Sequence, residues 1–167
     1  MEKMKVGNYI KKLNKFEKIY IVVFVGSLLL GIINGIVNVN YFKCCEDALG
    51  VPEEGTSALK IFRSNFLLSL TELFTAGIAS FYYNFHSLSL TSSYLAYQRV
   101  LYTLPIILLI GSLELIGSLF MALIGLSFVE RLFKIKSKLD YKILFFYGTA
   151  LIFVGAVIEY LLLKPVI

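Results

Sequence analysis

Residues 100–129 read VLYTLPIILLIGSLELIGSLFMALIGLSFV and carry a single charge, Glu114. A helix of about 20 apolar residues crosses the hydrocarbon core of a bilayer, and this stretch is longer than that. Residues 19–42, 73–98 and 143–158 carry no charge at all. The 167-residue chain is 58% hydrophobic, above the roughly 45–50% of soluble domains. The sequence therefore predicts an integral membrane protein.

The charged residues cluster beside the apolar segments and predict the orientation of the chain. Lysines are frequent in residues 1–18, and residues 130–142 form a second basic loop, whereas residues 41–62 include four acidic side chains. Because loops rich in Lys and Arg remain on the cytoplasmic side, the N-terminus and the 130–142 loop should both be cytoplasmic in a multi-pass protein of the cell membrane. Basic clusters beside a span attract anionic lipid, so the net charge of +5 predicts the lipid bilayer as partner and no nucleic acid.

This orientation constrains how often the chain crosses the membrane. Between the acidic loop and the 130–142 loop the number of crossings must be odd, but two plain spans, at about 62–83 and 100–129, give an even number. Either residues 66–98 hold a re-entrant hairpin or residues 84–104 make a crossing of their own. We therefore predict an all-α, polytopic transmembrane helical bundle of about five membrane-embedded segments, at least one of them short, kinked or re-entrant.

The domain organisation is simple. Residues 1–18 are predicted to form a basic amphipathic segment, and residues 19–167 a single transmembrane helical domain. Residues 84–99 are too polar to face lipid and too apolar for a free loop, so we expect a re-entrant or protein-buried segment there, because an irregular backbone at membrane depth must be buried or line a cavity. Pro105 is expected to mark a kink or the first turn of a helix.

Small and polar side chains recur at helical spacing on two apolar segments. They are Ser27, Gly31, Asn34, Gly35 and Asn38 on the first segment, and Gly148, Gly155 and Glu159 on the last. Small residues four positions apart let helices approach closely, so we predict that these faces pack helices and support a homo-oligomer. For the asparagines two interpretations stay open, a hydrogen-bonded packing seam or a polar lining that contacts a ligand.

Three glutamates, Glu72, Glu114 and Glu159, stand alone in apolar surroundings. A carboxylate in hydrocarbon is costly, so it normally faces a bundle interior, a water-filled cavity or a partner. If the three converge, they can relay a proton or bind a cation. In the alternative interpretation, each bonds to a neighbouring helix or meets Arg63 or Arg99.

Signals for catalysis and cofactors are weak. The single histidine, His86, rules out an HExxH metal site, and neither a GxSxG motif nor a glycine-rich phosphate loop occurs. Cys44 and Cys45 are adjacent, which is unfavourable for a disulfide between them. We therefore predict no catalytic, cofactor-binding or metal site.

Two short stretches carry a further signal. Residues 61–65 read IFRSN ahead of an apolar span, and residues 109–114 read LIGSLE ahead of a Gly-Leu pair at 125–126. Their order and spacing resemble the stage II sporulation protein M family of integral membrane proteins, over roughly residues 15–165.

The resemblance has departures and implications. Ser64 stands where the family has the first of two asparagines, and Leu109 and Ile110 replace its proline and histidine. The family's namesake is a membrane anchor or scaffold that recruits envelope-remodelling enzymes. Asn65, Gly111 and Glu114 carry the resemblance and are expected to form an intramembrane polar constellation. We add Glu72 to it, because Glu72 lies on the same predicted helix as Asn65 and this helix is expected to face that of Gly111 and Glu114. We expect a hydrogen bond between Glu114 and Asn65 or its neighbours.

Competing functions follow from these patterns. The first is a non-enzymatic scaffold or assembly component with a membrane or envelope protein partner. The alternative is a transporter or channel component, because broken segments and midplane carboxylates are what such proteins use. A polar cavity that joins Glu72 and Glu114 to one face would favour transport, whereas a dry, close-packed interior would argue against it. A third possibility is an intramembrane lipid enzyme that works near His86.

Overall fold

The computed structural model describes residues 13–43 and 57–163, and this part of the chain contains five α-helices and no strand. The helices are α1 (Lys15–Val37), α2 (Ala58–Phe74), α3 (Ile78–Tyr97), α4 (Leu104–Leu132) and α5 (Tyr141–Leu163), with a short 3-10 turn at Leu101–Thr103 before α4. The predicted all-α class is confirmed. Most of the predicted 1–18 segment, together with Cys44 and Cys45, lies outside the described residues.

Local sequence explains where α1 and α4 begin. Asn14 caps α1 by accepting a hydrogen bond from the Glu17 amide at 3.0 Å, and the Glu17 carboxylate accepts one from the Asn14 amide at 2.7 Å. This capping box satisfies two backbone donors that a helix start leaves free, and it assigns residues 15–18 to the first helix. Pro105 lies in the first turn of α4, where proline fits because its missing N–H has no partner to lose.

A tight reversal separates α2 from α3. Ala76 and Gly77 adopt positive φ angles of 53° and 78°, and the Gly77 amide donates to the Glu72 carbonyl at 2.6 Å. Beyond this turn α3 runs as a regular helix through residues 78–97. The re-entrant or protein-buried segment expected at residues 84–99 is helical up to Tyr97, and Ser89, Ser92 and Ser93 are buried against α1.

Interhelical contacts give the direction of α3 relative to α1. At one end of α1 the Tyr20 hydroxyl donates to the Gly77 carbonyl at 2.8 Å, and at the other end Ser93 donates to the Asn38 carbonyl at 2.9 Å. Helices α1 and α3 are therefore parallel. Helix α3 has 20 residues, or about 30 Å of helix, and it lies along α1 over most of that length.

The two basic stretches meet at one end of the bundle, which we call the basal end. Asn14 Nδ2 donates to Glu130 Oε1 at 2.9 Å, and Ser137 Oγ donates to Glu17 Oε1 at 2.5 Å. The start of α1 thus contacts the α4–α5 connection, as the charge pattern predicted. The opposite end, which carries Asn38, is called the distal end.

Three segments of the described chain have the length and hydropathy to cross a membrane: Lys15–Val37, Leu101–Leu132 and Tyr141–Leu162. Their outward faces are apolar, and side chains such as Val22, Leu109 and Phe146 are at least 70% exposed. Large exposed apolar surfaces of this kind are covered by lipid in membrane proteins. The protein is therefore a multi-pass membrane protein.

The small-residue face of α1 packs against α3 of the same chain. Ser89 Oγ donates to the Gly31 carbonyl at 3.1 Å, Ser92 Oγ donates to the Ile32 carbonyl at 3.2 Å, and Asn34 Nδ2 donates to Ser89 Oγ at 3.1 Å. This face had been expected to support self-association. It is instead covered by α3, whose serines need backbone acceptors that only a closely approaching helix can offer.

Gly35→Ala should lower the free energy of unfolding by about 1–3 kcal/mol, the usual cost of overpacking. The added methyl group would overlap Ser92 Oγ and the Ser89 carbonyl on α3. Gly26→Ala is the matched control, because nothing lies within 4 Å of a Cβ placed there. Denaturant unfolding of the purified protein in detergent measures both variants, and equal stabilities would contradict the close α1–α3 packing.

Candidate functional site

A cavity of about 470 Å³ lies between α3 on one side and α2, α4 and α5 on the other. It occupies the distal half of the bundle and is partly open, since the lining side chains Ser87 and Leu162 are exposed. Its polar lining includes Asn65, Ser69, Glu72, Asn84, Glu114, Ser118 and Glu159. The three isolated glutamates of the sequence therefore converge on one space.

The carboxylates are arranged as a ladder along the bundle. Glu72 on α2 accepts a hydrogen bond from Ser118, which lies one helical turn along α4 from Glu114. Glu114 in turn packs against Gly155, which lies one turn along α5 from Glu159. Successive carboxylates are therefore offset by roughly one helical pitch, about 5.4 Å, with Glu159 nearest the distal end and Glu72 deepest.

The predicted hydrogen bond between Asn65 and Glu114 is present. Asn65 Nδ2 donates to Glu114 Oε1 at 2.8 Å, and a Cβ placed at Gly155 would overlap the Glu114 side chain. One carboxylate thus connects α2, α4 and α5. Only a glycine at position 155 gives Glu114 enough room to lie between the helices.

The described lining of the cavity is acidic. Among residues 13–43 and 57–163 none of the lining residues is Lys, Arg or His, and Arg63 and Arg99 are exposed elsewhere. In residues 13–43 and 57–163 no cation forms an ion pair with Glu72, Glu114 or Glu159. The interpretation in which Arg63 or Arg99 neutralises a carboxylate is therefore not supported.

Asn84 adds an unsatisfied polar group to the cavity wall. The residue is only 6% exposed, and its Nδ2 atom has no hydrogen-bond partner. A buried N–H donor without a hydrogen bond costs about 1–3 kcal/mol. An acceptor atom bound in the cavity, opposite the carboxylates, would remove this cost by accepting from Asn84. Sequence analysis missed Asn84, although the unusual polarity of residues 84–99 was the available signal.

The basal side of the cavity is closed. Tyr20 bonds to the Gly77 carbonyl and shares a 2.6 Å hydrogen bond with Ser80 Oγ. Met121 and Ile152 are fully buried in the same apolar core. In this conformation the cavity is a blind compartment rather than a channel.

A second polar cluster at the basal end was not singled out from the sequence. Glu17 and Glu130 are 0% and 2% exposed, and Glu130 Oε2 has no hydrogen-bond partner. Asn14 and Ser137 supply the donors described above. The sequence signal for this cluster was the position of Glu17 and Glu130. Each lies at one end of an apolar segment, beside a basic stretch. This cluster ties the helix ends together.

The structure separates the predicted polar residues into two groups. Asn65, Glu72, Gly111, Glu114, Gly155 and Glu159 line the cavity, whereas Ser27, Gly31, Asn34, Gly35 and Asn38 lie on or beside the α1–α3 seam. Gly148 faces Gly117 where α4 and α5 cross. His86 lies apart from the cavity, stacks on Tyr82 and bonds to the Tyr41 hydroxyl at 3.0 Å. In the described part of the chain no three His, Cys, Asp or Glu residues are placed to hold a metal ion.

Comparison with protein-family models, with curated proteins and with solved structures found no match to this chain. The function is therefore argued from the cavity and its residues.

A double-mutant cycle should measure the Asn65–Glu114 bond. Interhelical hydrogen bonds in membranes average about 0.6 kcal/mol and reach about 1.7, so we expect a coupling in that range between Asn65→Ala and Glu114→Ala. Glu114→Gln should retain most of the stability, because its amide oxygen still accepts from Asn65.

Ser112→Ala is the control for this cycle. Its hydroxyl bonds only to the Leu109 carbonyl of the same helix, so pairing it with Glu114→Ala should give no coupling. The free energy of unfolding in detergent is the measurement, and an Asn65–Glu114 coupling equal to that of the control would contradict the bond.

Proposed function

We propose that all five helices cross the membrane and that the basal end is cytoplasmic. The apolar outer surface of α1, α4 and α5 supports this arrangement. So does the packing of α3 along the full length of α1, since a helix beside a spanning helix shares its depth. The polar side chains of α3 are then hidden from lipid, as a bilayer requires.

The function that the geometry supports best is that of a transporter or channel component that admits a small solute. The observation that carries this proposal is the cavity, on which Glu72, Glu114 and Glu159 converge, with no basic side chain in the described part of its lining. Ionisable residues at membrane depth mark solute or ion pathways in many membrane proteins. A cavity that is closed on its basal side and partly open elsewhere is what one state of an alternating-access cycle requires.

A second candidate is the scaffold that the resemblance to the stage II sporulation protein M family implies. The Asn65–Glu114 bond favours it, because it joins the two stretches on which the resemblance rests. In this proposal the polar constellation holds the bundle together, and an exposed surface recruits an envelope protein. Affinity purification from native membranes in mild detergent discriminates the two, since a stoichiometric envelope enzyme indicates a scaffold and a transport ATPase or permease subunit indicates transport.

Thiol labelling tests access to the cavity. In a Cys44→Ser, Cys45→Ser background, Ser87→Cys should react with a membrane-impermeant cationic thiosulfonate added from the distal side. It should react at least about tenfold more slowly with an anionic reagent of similar size, because the carboxylates attract the cationic reagent and repel the anionic one.

Leu109→Cys is the matched control, since Leu109 is 74% exposed and is not part of the cavity lining. Its thiol should face lipid and react slowly with both reagents. Equal labelling of Ser87→Cys and Leu109→Cys, or no preference for the cation, would contradict an accessible acidic cavity and favour the scaffold.

A further inference from the structure

We propose that the cavity binds an organic ammonium ion that has an apolar body and a neutral hydrogen-bond acceptor, as in an amino alcohol. This inference rests on the proposed function and specifies its substrate class. It is carried by three independent features of the lining, which are its charge, its apolar walls and the unpartnered amide of Asn84.

The charges select a cation. Three carboxylates face the cavity, and among the described residues no basic side chain does, so an anion would be repelled. A bare divalent metal ion needs six to eight oxygen ligands at about 2.3–2.6 Å, or near-octahedral geometry at shorter range. The carboxylates stand roughly a helical turn apart, and no cluster of three potential ligands occurs in the described residues.

The spacing of the carboxylates suits an ammonium group. Glu114 uses Oε1 to accept from Asn65, which leaves Oε2 for a ligand, and Glu159 has no hydrogen-bond partner in the described chain. An ammonium group carries several N–H donors, so it can donate to one oxygen of each residue at about 2.8 Å. The two residues are offset by about one helical turn, which flexible glutamate side chains can span to reach a shared nitrogen.

The rest of the lining suits the rest of such a ligand. Leu88, Leu115 and Ile152 provide apolar wall, and a volume of about 470 Å³ lies in the usual range for small-molecule sites, about 300–1,000 Å³. Asn84 lies seven residues beyond the α2–α3 turn, which places it about 10 Å from the turn and level with Ser69. Its free Nδ2 donor can reach a hydroxyl or carbonyl oxygen deeper in the cavity than the ammonium group.

Calorimetric titration of the full chain in lipid nanodiscs tests the proposal. The probes are n-propylammonium, n-butylammonium and 4-amino-1-butanol, with 1-butanol and butanoate as uncharged and anionic counterparts. We expect saturable one-site binding of the amines, a gain of about three- to fourfold for each added methylene, and no saturable binding of the alcohol or the acid. The amino alcohol should bind more tightly than n-butylammonium, which has the same four-carbon chain without the hydroxyl, and Asn84→Leu should remove this difference.

Charge-neutralising variants identify the site. Glu114→Gln and Glu159→Gln should each weaken ammonium binding by about tenfold. Glu114→Gln keeps the acceptor for Asn65, and Glu159 makes no hydrogen bond to residues 13–43 or 57–163 that a substitution could break, so both variants should fold. Asp140→Asn is the matched control, because Asp140 is an exposed carboxylate at the start of α5 and Asn retains its capping oxygen.

Absence of saturable amine binding, equal binding of 1-butanol, or the same affinity in Glu114→Gln, Glu159→Gln and Asp140→Asn overturns the proposal. The thiol labelling described above shows whether the substrate class alone is wrong or the proposed function is wrong as well. If Ser87→Cys reacts selectively with the cationic reagent but no amine binds, the substrate class is wrong and the accessible cavity stands. If neither result is obtained, both proposals fall.

Discussion

The close approach of α3 to α1 is the constraint on which the rest of the structure depends. Gly31 and Gly35 leave no side chain between the helices, so Ser89 and Ser92 reach backbone carbonyls of α1. A serine-rich helix can then lie at membrane depth with its hydroxyl groups bonded. Because α3 is held against α1, it packs only loosely on α2 and α4, and the space left between these two groups of helices is the cavity.

The same arrangement explains how three carboxylates are tolerated in an apolar chain. Each lies on the side of its helix that faces the space behind α3, away from the lipid-facing surface. Asn65 and Ser118 supply donors to two of them, which lowers the cost of placing an ionisable group at this depth. The third, Glu159, lies nearest the distal end and accepts no hydrogen bond from residues 13–43 or 57–163.

The sequence predicted those features that depend on pattern within one segment or on charge at its ends. Segregated charges placed the start of α1 and the 130–142 loop on the same side, and the structure puts Asn14 and Glu17 beside Glu130 and Ser137 at one end of the bundle. Convergence of the lone glutamates was one of two interpretations that the sequence left open. It could not give the partner of the α1 glycine face, because a ridge of small residues accommodates any closely packed helix. Nor could it give Asn84 a role, because that depends on which way α3 is rotated, and the serines on its opposite side decide this through hydrogen bonds to α1.

Glu114 connects the two roles that the polar residues can have. One of its oxygens accepts from Asn65 and helps hold α2 to α4, while its side chain occupies the room left by Gly155 on α5. Glu114 also lines the cavity, so a ligand bound there would contact the group that joins three helices. By mass action a ligand stabilises the state that binds it, and at Glu114 that state is defined by the packing of α2, α4 and α5. Holding the helices together and binding a solute are therefore compatible roles for Glu114. Its hydrogen bond to Asn65 uses one carboxylate oxygen and leaves the other for a ligand.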